Sequence, residues 1–144
     1  MFSGNVSLLR RQDIYFLAIV YNDSNGKLWS VNSNGYKYKI NTRQIIFQTS
    51  KVLPVDKFNW LAECESISNK IETPFLWKFS DDKNIFSIDD LAALYWGNNY
   101  NSKDLCSLLL SIFSGSVSYF KLIENMFCPL PELNIKEQNN QDQK

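Results

Sequence analysis

The stretch GKLWSVNSNGYKYKINTRQIIFQ, residues 26 to 48, concentrates side chains suited to binding. It holds Trp29, the rings of Tyr36, Tyr38 and Phe47, and the cations Lys27, Lys37, Lys39 and Arg43, without a single acid. Cations hold phosphates and aromatic faces stack bases, so the composition matches the chemistry of single-stranded nucleic-acid binders. Lys37 and Lys39 alternate with Tyr36, Tyr38 and Ile40, so a regular strand sends the lysines to one face and the rings to the other. The competing reading is a strand whose Trp29, Tyr38 and Ile40 fill a core while the lysines are merely solvated. A bulge near Gly35 would exchange the two tyrosines, so either Tyr36 or Tyr38 is a candidate to stack a base.

Other chemistry finds little support. There is no histidine, which removes the commonest general base and the usual partner of a Ser or Cys nucleophile. Cys64, Cys106 and Cys128 are widely separated and match no zinc-ligand spacing, so three reduced and mostly buried thiols are expected. The carboxylate clusters are Asp81-Asp82 and Asp89-Asp90. The second follows Ser87 at the start of an apolar-periodic run, where a serine caps a helix and acids complement its dipole. No metal and no other cofactor is expected.

The chain of 144 residues is formally neutral, but its charge is unevenly placed. Met1 to Val52 carries seven basic residues (Arg10, Arg11, Lys27, Lys37, Lys39, Arg43, Lys51) against Asp13 and Asp23, a net of plus five. The remainder carries eight basic and thirteen acidic residues, a net of minus five. Only the first part attracts phosphate. No apolar run approaches the roughly 18 residues of a membrane span, and no secretory signal is evident, so no membrane partner is expected.

These side chains must be positioned by strands. GNVSLLR, IYFLAIVYN, KLWSVNS, KYKINT and QIIFQTS are the candidates, with Asn-Gly turns at 25–26 and 34–35. Five short strands in so few residues predict a small SH3-like or OB-like β-barrel over residues 1–52. Pro54 begins a different regime. Residues 53–66 predict a connecting helix or linker, and 67–133 predict three short helices and a hairpin. The helices start near Glu72, at Ser87 and at Asn101 or Ser102, and the last two stop at Gly97 and Gly115. The hairpin turns near Glu124-Asn125. That order is a winged helix, so the expected class is α+β. Residues 134–144 predict a polar, disordered tail. The expected cores are Leu17, Ile19, Trp29, Val31 and Ile45 in the first unit, and Leu91, Leu94, Leu105, Leu109, Ile112 and Phe120 in the second. The polar residues of the third helix are Ser102, Lys103, Asp104, Ser107, Ser111 and Ser114, which is not the basic face of a DNA-reading helix.

Taken together, the segments G-x-V at 4–6, LAIV at 17–20, GKLWSV at 26–31, INTRQIIF at 40–47, IDDLAALYWG at 88–97 and SVSYFKLIENMFCPLP at 116–131 carry a resemblance. They resemble, in colinear order, the N-terminal region of the ribonuclease II/R-like exoribonucleases of cyanobacteria and chloroplasts. In that family a barrel precedes a winged helix, and a later domain hydrolyses RNA from the 3′ end with magnesium held by aspartates. Arg43 and Gln44 keep the family's Arg-Gln pair, whereas Leu130-Pro131 stands where the family has Arg-Pro. The resemblance implies a non-catalytic accessory region that binds single-stranded RNA with weak sequence preference. Such a region would position RNA for a ribonuclease catalytic chain in a plastid or, alternatively, the cytoplasm. The candidate RNA contacts are Arg10, Arg11, Lys27, Tyr36, Lys37, Lys39 and Arg43. The alternative is a protein-interaction module without RNA contact.

Overall fold

A computed structural model describes residues 2–80 and 84–142 and is α+β. Its first part is a meander: β1 (Ser3–Arg11), β2 (Ile14–Asn22), β3 (Leu28–Val31) and β4 (Lys37–Lys39) follow one another, and β5 (Ile45–Pro54) returns to pair with β1. The antiparallel order is β4-β3-β2-β1-β5. Among the described residues no pairing joins β4 to β5, so the expected closed barrel is replaced by an open sheet. The physical reason lies at the edge. β4 is only three residues long, and the chain then enters a 3-10 turn at Thr42–Gln44 before Ile45 pairs with Leu9.

The hairpin turns follow from their residues. Asp23 and Asn32 each accept two backbone N–H bonds through one side-chain oxygen, from Asn25 and Lys27 and from Asn34 and Tyr36. Each turn is completed by a glycine of positive φ, Gly26 at 79° and Gly35 at 83°, a conformation that costs other residues more. β5 is irregular against β1, with register shifts between Asn5 and Ser7 and between Leu8 and Leu9. Such bulges increase twist and let a sheet curl. Thr49 holds the first shift: its hydroxyl donates to the Val6 carbonyl at 2.6 Å, and the Asn5 amide donates to the Thr49 carbonyl at 2.9 Å.

Both faces of the sheet are buried at its centre. Val6, Leu8, Leu17 and Ile19 project to one side and join the main core. Leu9, Ala18 and Val20 project to the other and pack with Phe16, Leu28, Ile40 and Ile45. β1 and β2 therefore read as nearly continuous apolar runs instead of clean alternation.

The second part is α1 (Asn59–Ser68), α2 (Thr73–Phe79), α3 (Ile88–Trp96), α4 (Ser102–Ser114), the hairpin β6 (Phe120–Ile123) and β7 (Met126–Pro129), and α5 (Glu132–Asp142). Ser87 and Asp90 form a reciprocal cap on α3, as do Asn101 and Asp104 on α4. Each cap satisfies N–H groups that a helix start otherwise leaves open. Glu124 and Asn125 both have positive φ in the β6–β7 turn, the backbone of a tight two-residue hairpin loop. Phe86 bridges to Phe127 through two backbone hydrogen bonds of 2.8 and 2.7 Å.

The two parts share one core. Leu61 and Cys64 of α1, and Leu108, Leu109 and Ile112 of α4, belong to the same buried cluster as Val6, Leu8, Leu17 and Ile19. Phe127 of the hairpin lies 5.9 Å from Phe47 of β5 and 6.2 Å from Phe113 of α4, centroid to centroid. Each fully buried aliphatic side chain contributes about 1.5–3 kcal/mol of transfer free energy.

Most of the expected core is buried, with informative departures. Leu94 is exposed, and Trp29, Ile45 and Leu105 are half-buried. The stretch expected to be a disordered tail is helical through Asp142. Its composition is polar, but Ile135 is buried and the Gln138 side chain bonds both the N–H and the carbonyl of Ser118.

Candidate nucleic-acid interface

The β1–β2 hairpin turns through Gln12 and Asp13, with Gln12 at φ 57°. This register pairs Arg10 with Tyr15 and Arg11 with Ile14. Pleating then sends two adjacent arginines to opposite faces. The Arg10 guanidinium lies 5.7 Å from the Tyr15 ring centroid, and its Nε donates to the Gln12 carbonyl at 2.8 Å. The Arg11 guanidinium lies 5.2 Å from the Tyr38 ring centroid.

Tyr38 faces Arg11 because of the β3–β4 register. Ser30 pairs with Tyr38, while Trp29 and Val31 pair with Lys39 and Lys37. The lysines thus share the Trp29 face and Tyr38 takes the other, as the alternation in the sequence requires. Tyr38 is not sealed into the core, however. It lines a cleft of about 530 Å³ with Arg11, Ile14, Phe16, Ile40 and Gln44, and Lys39 borders the cleft from the edge strand. Exposed Ile14 and half-buried Phe16 and Ile40 make an apolar floor beneath a cation and a ring.

The remaining candidates are dispersed. Tyr36 sits in the turn before β4 and is 61% exposed. Lys37 projects to the Val31 side. Arg43 is exposed in the turn capped by Asn41, next to the cleft-lining Gln44. Lys27 lies at the opposite end of β2, where Leu28 pairs with Asn22. Eight residues of strand separate that end from Ile14, roughly 26 Å at about 3.3 Å per residue. Arg11 is therefore the sequence-derived cation whose charged group sits over the cleft, while Lys39 borders it from the edge strand with its side chain directed to the Trp29 face.

Trp29 occupies the lysine face and is fixed in place. Its indole N–H donates to the Asp23 carboxylate at 2.9 Å. That bond, ahead of the Lys27 backbone N–H, holds the Asp23 carboxyl below its ordinary value.

Several contributors were hidden in the sequence. The sequence leaves Tyr36 and Tyr38 as alternatives, and the Arg11 partner of Tyr38 emerges only from the two hairpin registers combined. Ile14, Phe16 and Ile40 read as ordinary strand residues. Trp60 carries no binding signal in the sequence, yet Lys51 and Lys103 place ammonium groups 5.5 and 5.9 Å from its ring centroid. Lys103 also pairs with Glu63.

Asp89 and Asp90 and the thiols of Cys64 and Cys106 have identifiable structural surroundings. Asp89 accepts a hydrogen bond from the Tyr100 hydroxyl at 2.9 Å, which raises the Tyr100 pKa. Burial pushes the Cys64 thiol up to about 12 and the Cys106 thiol up to about 11. Asp81 and Asp82 lie outside the described residues. Among the described residues no group of three His, Cys, Asp or Glu side chains is arranged to hold a metal. No helix among them is long and apolar enough to cross a membrane. No family model, curated protein or solved structure matches the chain.

Proposed function

We propose that the chain is a non-catalytic RNA-binding region whose Arg11–Tyr38 cleft receives single-stranded RNA. The observation that carries this reading is the Arg11 guanidinium 5.2 Å over the centroid of a solvent-accessible Tyr38 ring, above the apolar side chains of Ile14, Phe16 and Ile40. Bases splayed from a single strand stack on aromatic rings and on arginine planes, and the same cations hold the adjoining phosphates. Contacts of this kind read backbone and base faces, so sequence preference is weak.

The run α2, α3, α4, β6, β7 is read as a winged helix, supported by the Phe86–Phe127 bridge that ties the segment before α3 to the hairpin. That helix-and-hairpin order is the part of the likeness to the accessory region of ribonuclease II/R-like enzymes that the reading rests on, while the open sheet departs from the family's barrel. In that role the chain presents RNA to a separate catalytic chain in a plastid. Titration with single-stranded RNA at low salt tests the reading, followed by the same titration as salt rises. Binding that weakens linearly in log salt is the expected result, since each phosphate contact releases counterions. Absence of binding at low salt overturns it.

A second reading has its own observation. Phe75, Phe79, Ile85 and Leu94 are 51, 62, 60 and 42% exposed, and Leu94 borders the cavities lined by the others. Among the described residues, the charged ones lining those cavities are Glu72 and Asp90. Such a surface fits a partner segment with apolar side chains flanked by basic ones. Association insensitive to salt and lost in Phe75→Ser/Phe79→Ser would favour it.

A further inference from the structure

The face of the sheet that carries Lys37 and Lys39 has an aromatic row of its own. Tyr21 pairs with Trp29 across β2 and β3, and Trp29 pairs with Lys39 across β3 and β4. Side chains directly opposite one another on antiparallel strands share a face, with Cβ atoms about 4.5–5.5 Å apart. Tyr21, Trp29 and Lys39 therefore form a line that runs out to the edge strand. Phe2 stacks on the inner end of that line, its ring centroid 5.1 Å from that of Tyr21 at an interplanar angle of 27°. Lys37 lies on the same face, diagonal to Trp29 at about 7–8 Å.

Trp29 is not consumed by the core. It is half-buried, and among the described residues it packs into neither buried cluster. Its indole N–H bonds Asp23 in the plane of the ring, which orients the ring and leaves its π faces to other contacts. The Asp23 carboxylate also accepts the backbone N–H groups of Asn25 and Lys27, so its charge is spent on the turn. Lys37 and Lys39 are exposed, and among the described residues neither forms an ion pair, unlike Arg10 with Asp13 and Lys103 with Glu63. Lys27, exposed in the same turn, adds a cation at the Trp29 end.

The two faces of this edge are within reach of one polymer. β4 is three residues long and ends the sheet, and it presents Tyr38 to the cleft and Lys37 and Lys39 to Trp29. A strand leaving the cleft has one short edge strand to cross. Fixed rings beside unpaired cations are the elements that hold single-stranded nucleic acid, the rings by stacking and the cations through phosphate. Resting on the RNA-binding reading of the Arg11–Tyr38 cleft, the geometry points to the Trp29 face as a second contact for the same RNA strand. Trp29 stacks a base there, and Lys37 and Lys39 hold the adjoining phosphates.

The test uses the full chain with an oligouridylate trinucleotide, too short to cover both faces, and a dodecanucleotide, read by the ring resonances of Trp29 and Tyr38. The trinucleotide should shift the two rings along separate titration curves, and Arg11→Ala should weaken only the Tyr38 curve. The dodecanucleotide should move both rings on one curve at lower concentration, because its second contact is intramolecular. Trp29→Leu should lower dodecanucleotide affinity about tenfold, the loss of roughly one base stack. Trp29→Phe, which loses the Asp23 bond but keeps a ring, should stay within about twofold of wild type. Lys37→Ala, at an exposed position, should make the dodecanucleotide salt slope shallower by about one unit. Trp29 resonances unmoved by either RNA, with Trp29→Leu and Lys37→Ala binding as wild type does, overturn the Trp29 contact and leave the cleft standing. Equal losses in Trp29→Leu and Trp29→Phe also overturn it, because the ring then acts only through the turn it ties to Asp23. RNA that shifts neither ring of the wild-type protein overturns the cleft and the Trp29 contact together.

Discussion

The Trp29 indole N–H donates to the Asp23 carboxylate at 2.9 Å, across the turn that joins β2 to β3. Asp23 also accepts the backbone N–H groups of Asn25 and Lys27. One side chain thus fixes the turn and the orientation of the ring facing Lys39.

These donors hold the Asp23 carboxyl below its ordinary 3.8. A depressed carboxylate pKa contributes stability above the unfolded-state value, and that contribution is lost as pH falls through the folded-state value. The Trp29 indole N–H resonance should therefore titrate with a midpoint below the ordinary carboxylate value of 3.8. In Asp23→Ala it should already be displaced at neutral pH and show no acid step. A wild-type resonance that titrates above pH 5 would refute the assignment.

Thiol reactivity provides a second prediction. The thiolate is the nucleophile, and burial holds Cys64 and Cys106 protonated well above neutrality, at about 12 and about 11. Cys128 is only half-buried. At neutral pH an aromatic disulfide reagent should modify Cys128 in the native protein and reach the other two only in denaturant. Equal rates for all three would mean that the seam between α1, α4 and β5 is open.

Core truncations should separate along the shared core. Leu8→Ala and Leu109→Ala remove fully buried side chains and should each cost roughly 2–5 kcal/mol in denaturant unfolding. Leu94→Ala, at an exposed position, should stay within about 0.5 kcal/mol. Because Leu8 and Leu109 lie in one cluster, either change should destabilise sheet and helices in a single transition. Two transitions, with only one moved by each substitution, would show that the halves fold separately.

Local signals in the sequence carried most of the element pattern. The Asp23 and Asn32 turns, the Ser87 and Asn101 caps and the Glu124-Asn125 hairpin depend on residues within a few positions of each other. Closure of the sheet does not. It turns on how far β4 extends and on the bulges of β5 against β1, which no local pattern encodes. Leu94 has the helical spacing of a core residue, but which face of α3 is covered depends on where α2 lies. The tail shows the same limit. Its polarity masks Ile135, which is buried, and Gln138, which finds its partner only because Ser118, just before β6, lies nearby. At the candidate interface, alternation placed the lysines opposite Tyr38, whereas the Arg11–Tyr38 contact needed both hairpin registers.

The last prediction separates the cations by position. Tyr38→Ala should weaken single-stranded RNA binding by roughly 1–3 kcal/mol, the value of one base stack, and leave the salt slope unchanged. Tyr36→Ala should change neither, since that ring lies before β4 and does not line the cleft. Arg11→Ala should lower affinity and make the slope shallower by about one unit, as loss of one phosphate contact requires. Replacing Lys37, Lys39 and Arg43 together by alanine should weaken unrelated RNA sequences by similar factors and flatten the slope further. Lys27→Ala, at the far end of β2, should matter only for strands long enough to span that distance. Circular dichroism on each variant establishes that the fold is intact. With folded variants, an affinity insensitive to Arg11, Tyr38 and Lys39 would leave the stretch from Gly26 to Gln48 as a sheet with a solvated basic face.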